Sequence, residues 1–278
     1  METLSTDTPV LPVMNYTGER MVPEKADAAT FWEHIYRYRF ARNFIRGKDV
    51  LDIACGEGYG TAAMMKAGAK SVIGIDISEE TCAHARQKYA VDVRCGSALE
   101  IPLPDKSVDT VVSFETVEHL PEPSKFIGEC RRVLRDEGLL VISTPNKEVY
   151  RVLESPNPFH CKEMTEEDFL DIMNEHFGNV RLYTQQLKYA SWWSLRSLST
   201  PAPGLRHMRG YYRLRNLLPK QDWNYASDCQ RGDPIGQILA DDNLWLALTN
   251  PYRVHKRSKV SGERAAYFIA VASGFGVG

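Results

Sequence analysis

Residues 50–60 read Val-Leu-Asp-Ile-Ala-Cys-Gly-Glu-Gly-Tyr-Gly, and this stretch decides the fold. An apolar run suited to a buried strand passes into a glycine-rich bend, and the segment behind it, TAAMMKAG, has the composition of a helix. At such a junction the missing side chains and outward-facing backbone N–H groups let a ligand approach closely. Asp52 stands four residues before Gly56. A carboxylate at the end of the strand is badly placed to face a pyrophosphate and well placed to meet an ammonium group. Asp76, in Val-Ile-Gly-Ile-Asp-Ile-Ser (72–78), follows 24 residues later, the distance at which a Rossmann-like fold sets an acid against ribose hydroxyls. Two carboxylates around a glycine turn describe a cationic nucleoside.

Outward from this bend, short apolar runs alternate with helix-like segments: DVLDIA (49–54), SVIGIDI (71–77), EETCAHARQKYA (79–90), DVRCG (92–96), DTVVSF (109–114), PSKFIGECRRVLR (123–135) and GLLVIST (138–144). That cadence predicts an α/β, Rossmann-like, doubly wound and mostly parallel sheet with both faces covered. A further helix is predicted over Glu166–Phe177 behind Thr165 as cap, then a strand NVRLYTQ (179–185) and a last strand RAAYFIAVAS (264–273). Ahead of the bend, residues 1–26 read as an arm. Phe31, Ile35, Tyr38, Phe40 and Phe44 recur at helical spacing over 28–46, with Thr30 as a capping candidate. The implied organisation is an arm and helix at 1–46 covering the cofactor site, a Rossmann-like domain at 47–186 and 264–278, and an insertion at 187–263.

The insertion is too long for a structureless loop and is predicted to be a lid or subdomain. It holds Trp192, Trp193, Trp223 and Trp245, and its twelve Lys and Arg against six Asp and Glu give it about +6 in a chain of net charge −2. Such a lid fits an acceptor with a ring to stack and phosphate to neutralise, a nucleotide-linked or lipid-linked sugar or a phosphorylated glycan. The other readings are a small core of its own or a homodimer contact.

With 43% hydrophobic and 25% charged residues in 278, the composition excludes wholesale disorder, collagen-like repetition and a disulfide miniprotein. The near-zero net charge gives no bulk attraction to nucleic acid, so a stable nucleic-acid partner is not expected. Six cysteines without a CxxC pair, no secretory pattern at the N-terminus and no long apolar run predict a reducing, cytoplasmic setting without a transmembrane segment. Cys55 reads as a packing residue, and His34, His84, His176, His207 and His255 as singletons.

DIACGEGYG, GIDIS and the strands after them resemble the class I S-adenosylmethionine-dependent methyltransferases, over Val50–Gln185 plus the final strand. The resemblance implies that Asp52, Gly56 and Gly58 hold the methionine end of S-adenosylmethionine and Asp76 the ribose, while Ser97 and Ala98 meet the adenine edge. It further implies Ile77 and Phe114 as cofactor contacts. Ser97 stands where many members have Asp. TGERMVPE (17–24) and WEHIYRYRFA (32–41) resemble the stretch before the glycine loop in enzymes of glycan and secondary-metabolite pathways. That match implies that Arg20, Tyr36 or Arg37 covers the cofactor carboxylate; a surface salt-bridging helix is the alternative.

After the fourth strand comes Ser113-Phe114-Glu115-Thr116-Val117-Glu118-His119-Leu120. A helical turn here would put Glu115, Glu118 and His119 on one face, at the strand ends where open α/β sheets bind ligands. His160 follows the fifth strand. E-x-x-E-H followed by H-x-x-E-x-T resembles the metal-dependent small-RNA 3′-terminal 2′-O-methyltransferases, which implies that Glu115, Glu118, His119 and His160 hold a divalent ion, Mg²⁺ or Mn²⁺. Quinone-pathway O-methyltransferases share the E-x-x-E-H stretch. Three readings stay open: metal-assisted deprotonation, His119 as a metal-free general base, and a structural Glu–His pair. The function expected is S-adenosylmethionine-dependent O-methylation of a small-molecule hydroxyl, a sugar or glycoside first and a phenol or quinol second. Outside that class stand a dinucleotide-dependent oxidoreductase and a non-catalytic S-adenosylmethionine-binding protein.

Overall fold

The computed structural model describes residues 19–23, 25–26, 28–148, 157–187, 252–256 and 266–274. In chain order it has α1 (Ala28–Ile45), β1 (Asp49–Ile53), α2 (Tyr59–Lys66), β2 (Ser71–Asp76), α3 (Glu79–Tyr89), β3 (Asp92–Cys95) and β4 (Val108–Phe114). A single 3-10 turn (Val117–His119) leads to α4 (Pro123–Val133), β5 (Leu134–Pro145), α5 (Glu166–His176), β6 (Asn179–Leu187), β7 (Tyr252–Lys256) and β8 (Tyr267–Ser273). Among the described residues no helix is long and apolar enough to cross a membrane.

Among the described residues eight strands join one sheet in the order β3-β2-β1-β4-β5-β8-β6-β7. From β3 to β5 every pairing is parallel, whereas β8 runs antiparallel to both β5 and β6, and β7 antiparallel to β6. The expected mostly parallel, doubly wound sheet is present, with an antiparallel margin. One part of the organisation differs from expectation: the segment 187–263 is not wholly separate, because Tyr252–Lys256 adds an edge strand to the main sheet. Its tryptophans lie outside the described residues.

Alternation along the central strands sends successive side chains to opposite faces. Leu51, Ile53, Val111, Leu140 and Ile142 face Phe126 and Ile127 of α4 and Phe169 and Met173 of α5. Val50, Val112, Val141 and Ile269 face Ile35, Tyr38 and Ile45 of α1 and Ala63 and Met64 of α2. Thr165 caps α5 in a full capping box with Asp168. Thr30 does not cap α1, which already begins at Ala28.

Tyr38 locks α1 to the glycine bend. Its ring meets Tyr59 at 5.5 Å and Phe114 at 5.0 Å, both edge-on. Gly60 lies directly beneath it, and a Cβ there would fall 2.1 Å from the ring. Because Tyr38 is buried, the ring cannot swing clear. Gly60→Ala is therefore expected to cost about 1–3 kcal/mol of stability by overpacking, read as a lowered urea midpoint at unchanged slope.

Candidate active site

The carboxyl ends of β1, β2 and β4 open onto one cavity of about 810 Å³. The bend after β1 forms its floor. Ala54, Gly56 and Gly58 take φ values of +58°, +56° and +87°, so the chain turns through three left-handed residues, one of which carries a Cβ. The Gly56 N–H donates to Asp76 Oδ2 (3.0 Å), and the Ser78 N–H donates to Asp76 Oδ1 (3.0 Å). Gly58 packs on α3, where a Cβ would come 2.7 Å from that of Ala85.

A clamp invisible to motif reading holds the bend against α3. Glu57, 1% exposed, accepts from the Lys88 ammonium (3.0 Å) and the Tyr89 hydroxyl (2.8 Å), with His84 Nε2 at 3.4 Å. The i, i+4, i+5 spacing of His84, Lys88 and Tyr89 along α3 is the signal that sequence reading could have used.

Of the residues expected to contact a cofactor, Gly56, Asp76, Ile77, Ser97, Ala98 and Phe114 line the cavity. Ile77 is 70% exposed, and Ser97 Oγ accepts the Leu99 N–H at 3.1 Å. Asp52 and Gly58 do not line it. Strand alternation drives the Asp52 side chain under the bend on the α1–α2 side, where the Thr61 hydroxyl donates to it at 2.7 Å. Burial there pushes its carboxyl up to about 7, against the hydrogen bond from Thr61.

The arm differs in detail from expectation. Arg20 reaches Asp76, 3.6 Å from Oδ1, and so covers the predicted ribose acid rather than a carboxylate subsite. Tyr36 is turned away from the cavity: the helical period sends Thr30, Glu33, His34 and Tyr38 to that face. Arg37 is fully buried behind the wall, donating to Gln185 Oε1 at 3.0 Å with its guanidinium over the Tyr267 ring.

Beyond β4 the predicted foursome separates. Glu118, His119 and His160 bring one ligand atom each within 4.8 Å of one another, and Glu115 is not in the group. The expected helical turn does not start at Glu115, which takes φ +55° ahead of the 3-10 turn. That reversal swings its carboxylate back to the sheet, where Oε1 accepts from the Ser143 hydroxyl at 2.7 Å and lies 4.0 Å from Arg37. Glu118 is completely buried; Thr144 donates to Oε2 at 3.2 Å, and Oε1, without a hydrogen-bond partner, lies 4.0 Å from His119 Nε2. Burial, reinforced by the Glu115 charge, holds the Glu118 carboxyl well above the usual range. His119 Nδ1 sits 3.0 Å from the Phe159 carbonyl, a contact only a protonated nitrogen makes, so Nε2 keeps its lone pair. Burial and the neighbouring His160 lower the His119 pKa. The two imidazoles meet edge to face at 4.9 Å, and Asn157 lies 3.1 Å from His160 Nε2.

A glycine bend gripped by a carboxylate and an imidazole share one cavity, and comparison with known proteins gives similarities over the same part of the chain. Residues 51–142 fit the family described as a methyltransferase domain. The chain is thus similar to S-adenosylmethionine-dependent methyltransferases. A protein of Mycolicibacterium smegmatis named "Probable S-adenosylmethionine-dependent methyltransferase" is 42% identical over 166 residues, 56% of this chain and 62% of that one. This chain thus spans about three fifths of that relative's length. A ubiquinone biosynthesis O-methyltransferase of Bradyrhizobium diazoefficiens is 37% identical over 110 residues, 38% of this chain and 43% of that one. A solved SAM-dependent methyltransferase from Thermotoga maritima shares the fold, with a TM-score of 0.54 at 15% identity over 88% of this chain and 93% of that one.

The buried Asp52 has a consequence for stability. Its folded pKa, near 7, lies above the ordinary carboxylate value, so the fold prefers the protonated form. That preference is fully present below pH 4 and is lost as pH rises to about 7. Asp52→Asn removes the titration while keeping an acceptor for Thr61. Its stability relative to wild type is expected to rise by roughly 2–4 kcal/mol between pH 4 and pH 8, measured by urea denaturation at each pH.

Proposed function

We propose that this chain is an S-adenosylmethionine-dependent O-methyltransferase acting on a hydroxyl of a small molecule. The observation that carries the reading is His119: its Nδ1–H is fixed on the Phe159 carbonyl, which leaves a basic Nε2 in the same cavity as the glycine bend and Asp76. Asp76, Ile77, Ser97 and Ala98 take the nucleoside, and the chain past β4 takes the acceptor. His119 Nε2 accepts the hydroxyl proton as the oxygen attacks the sulfonium methyl in line, and S-adenosylhomocysteine leaves. The lowered pKa keeps the imidazole neutral and able to act as base.

The cluster also suits a divalent ion. Glu118 Oε1 is a buried oxygen without a hydrogen-bond partner, and a carboxylate with two imidazoles is a donor set that Mg²⁺ or Mn²⁺ accepts. Glu118, His119 and His160 would hold it, His160 giving up the contact of one nitrogen. An ion so bound would lower the pKa of the acceptor hydroxyl and orient it.

For the acceptor class we propose a sugar or glycoside, supported by the aromatic, basic composition of 187–263. A phenol or quinol is the second reading, favoured by similarity to the ubiquinone biosynthesis O-methyltransferase. Methyl transfer from labelled S-adenosylmethionine to glycosides, nucleotide sugars, catechols and quinols, with and without chelator, tests these readings. His119→Ala is expected to lower turnover about 10²–10⁴-fold while leaving S-adenosylhomocysteine affinity unchanged. A rate insensitive to chelator removes the ion from the scheme, products from quinols alone remove the sugar, and cofactor binding without turnover of any acceptor favours a binding protein.

A further inference from the structure

We propose that Glu115, rather than Asp52, receives the α-ammonium group at the methionine end of the cofactor. The inference rests on the reading of the cavity as the S-adenosylmethionine site and adds a residue to it. Strand order supplies the direction. Asp76 ends β2, Ser97 follows β3, and β1 lies between β2 and β4. A nucleoside held by Asp76 and Ser97 therefore extends its amino-acid end across the glycine bend toward the end of β4. The residue ending that path is Glu115, directly after Phe114, whose ring is coupled through Tyr38 to Tyr59 at the start of α2.

An ammonium group needs a carboxylate it can touch. Asp52 is 1% exposed, holds the Thr61 hydroxyl and does not line the cavity. Glu118 is deeper still, without exposure, and is grouped with the two histidines. Glu33 lines the cavity from α1, with Oε2 on the Tyr267 hydroxyl at 2.7 Å, and Glu19 lines it from the arm, 3.9 Å from Arg20, so neither stands at the end of β4. Glu115 lines the cavity with its side chain 14% exposed. Both its contacts, to Ser143 and Arg37, are made by Oε1, and Oε2 carries neither. The group is thus fixed from behind with one oxygen left for a ligand, which is preorganised geometry for a charge-assisted hydrogen bond. Its left-handed backbone fits the same role. A non-glycine residue at φ +55° is strained, and such strain gathers where the fold must aim a functional side chain.

Calorimetry of the full chain separates this role from a structural one, using three probes: S-adenosylhomocysteine, its deamino analogue, which keeps the carboxylate, and 5′-methylthioadenosine. Wild type is expected to bind S-adenosylhomocysteine roughly 30-fold more tightly than the deamino analogue, the size of one charge-assisted hydrogen bond. Glu115→Gln should abolish that difference by weakening S-adenosylhomocysteine alone, while the other two probes stay within about threefold of wild type. Glu115→Ala should give the same pattern, which guards against an effect of the introduced amide. Equal weakening of all three probes overturns the proposal in favour of a structural role, and so does unchanged S-adenosylhomocysteine affinity. Failure of wild type to bind any probe overturns the cofactor reading itself, a result distinct from the other two.

Discussion

The bend that closes β1 is the constraint on which the site depends. Three left-handed residues within five positions bring the backbone N–H of Gly56 onto Asp76 and lay the start of α2 against Tyr38. Such a turn is costly for Ala54, and the neighbouring contacts hold it: the Cys55 N–H on the Ile75 carbonyl, Gly58 against Ala85, and the Glu57 carboxylate under Lys88 and Tyr89. The bend thereby couples β1, β2 and α3, so the position of Asp76 and the shape of the glycine loop cannot vary independently.

A second constraint sits on the opposite wall. Arg37 of α1 is buried with Gln185 of β6, Tyr267 of β8 and Glu115 beyond β4, while Glu33 accepts from Tyr267 and its carbonyl accepts from Gln185. Removing one partner of such a group leaves a buried charge or polar atom uncompensated, which costs far more than an exposed ion pair could return. The network ties the N-terminal helix to strands more than 140 residues away in sequence. It also separates the two acidic positions of the E-x-x-E-H stretch: Glu115 belongs to the Arg37 network, Glu118 to the histidines.

Much of the sheet was legible in the sequence because its strands are short apolar runs separated by helices, and burial on both faces leaves a strong local signature. The cap at Thr165 and the glycine bend were legible for the same reason, since their chemistry is confined to a few adjacent residues. Less of the site was. Spacing assumes a regular turn, and one left-handed residue at Glu115 removed it from its predicted cluster. Tyr36 was implied where the helical period presents His34 and Tyr38, and the Glu57 clamp carries no motif.

By itself, the order of residues determined the α/β class, the glycine bend and the identity of Asp76 and His119, because each follows from local periodicity, turn stereochemistry or a short motif. Tertiary structure alone decided which carboxylates reach the cavity. Asp52 and Glu115 both lie near strand ends, yet pleat and packing bury the first under α1 and α2 while a reversed backbone, anchored on Ser143 and Arg37, leaves the second at the surface of the site. Side-chain direction at a strand end depends on neighbours distant in sequence, and no local pattern encodes it.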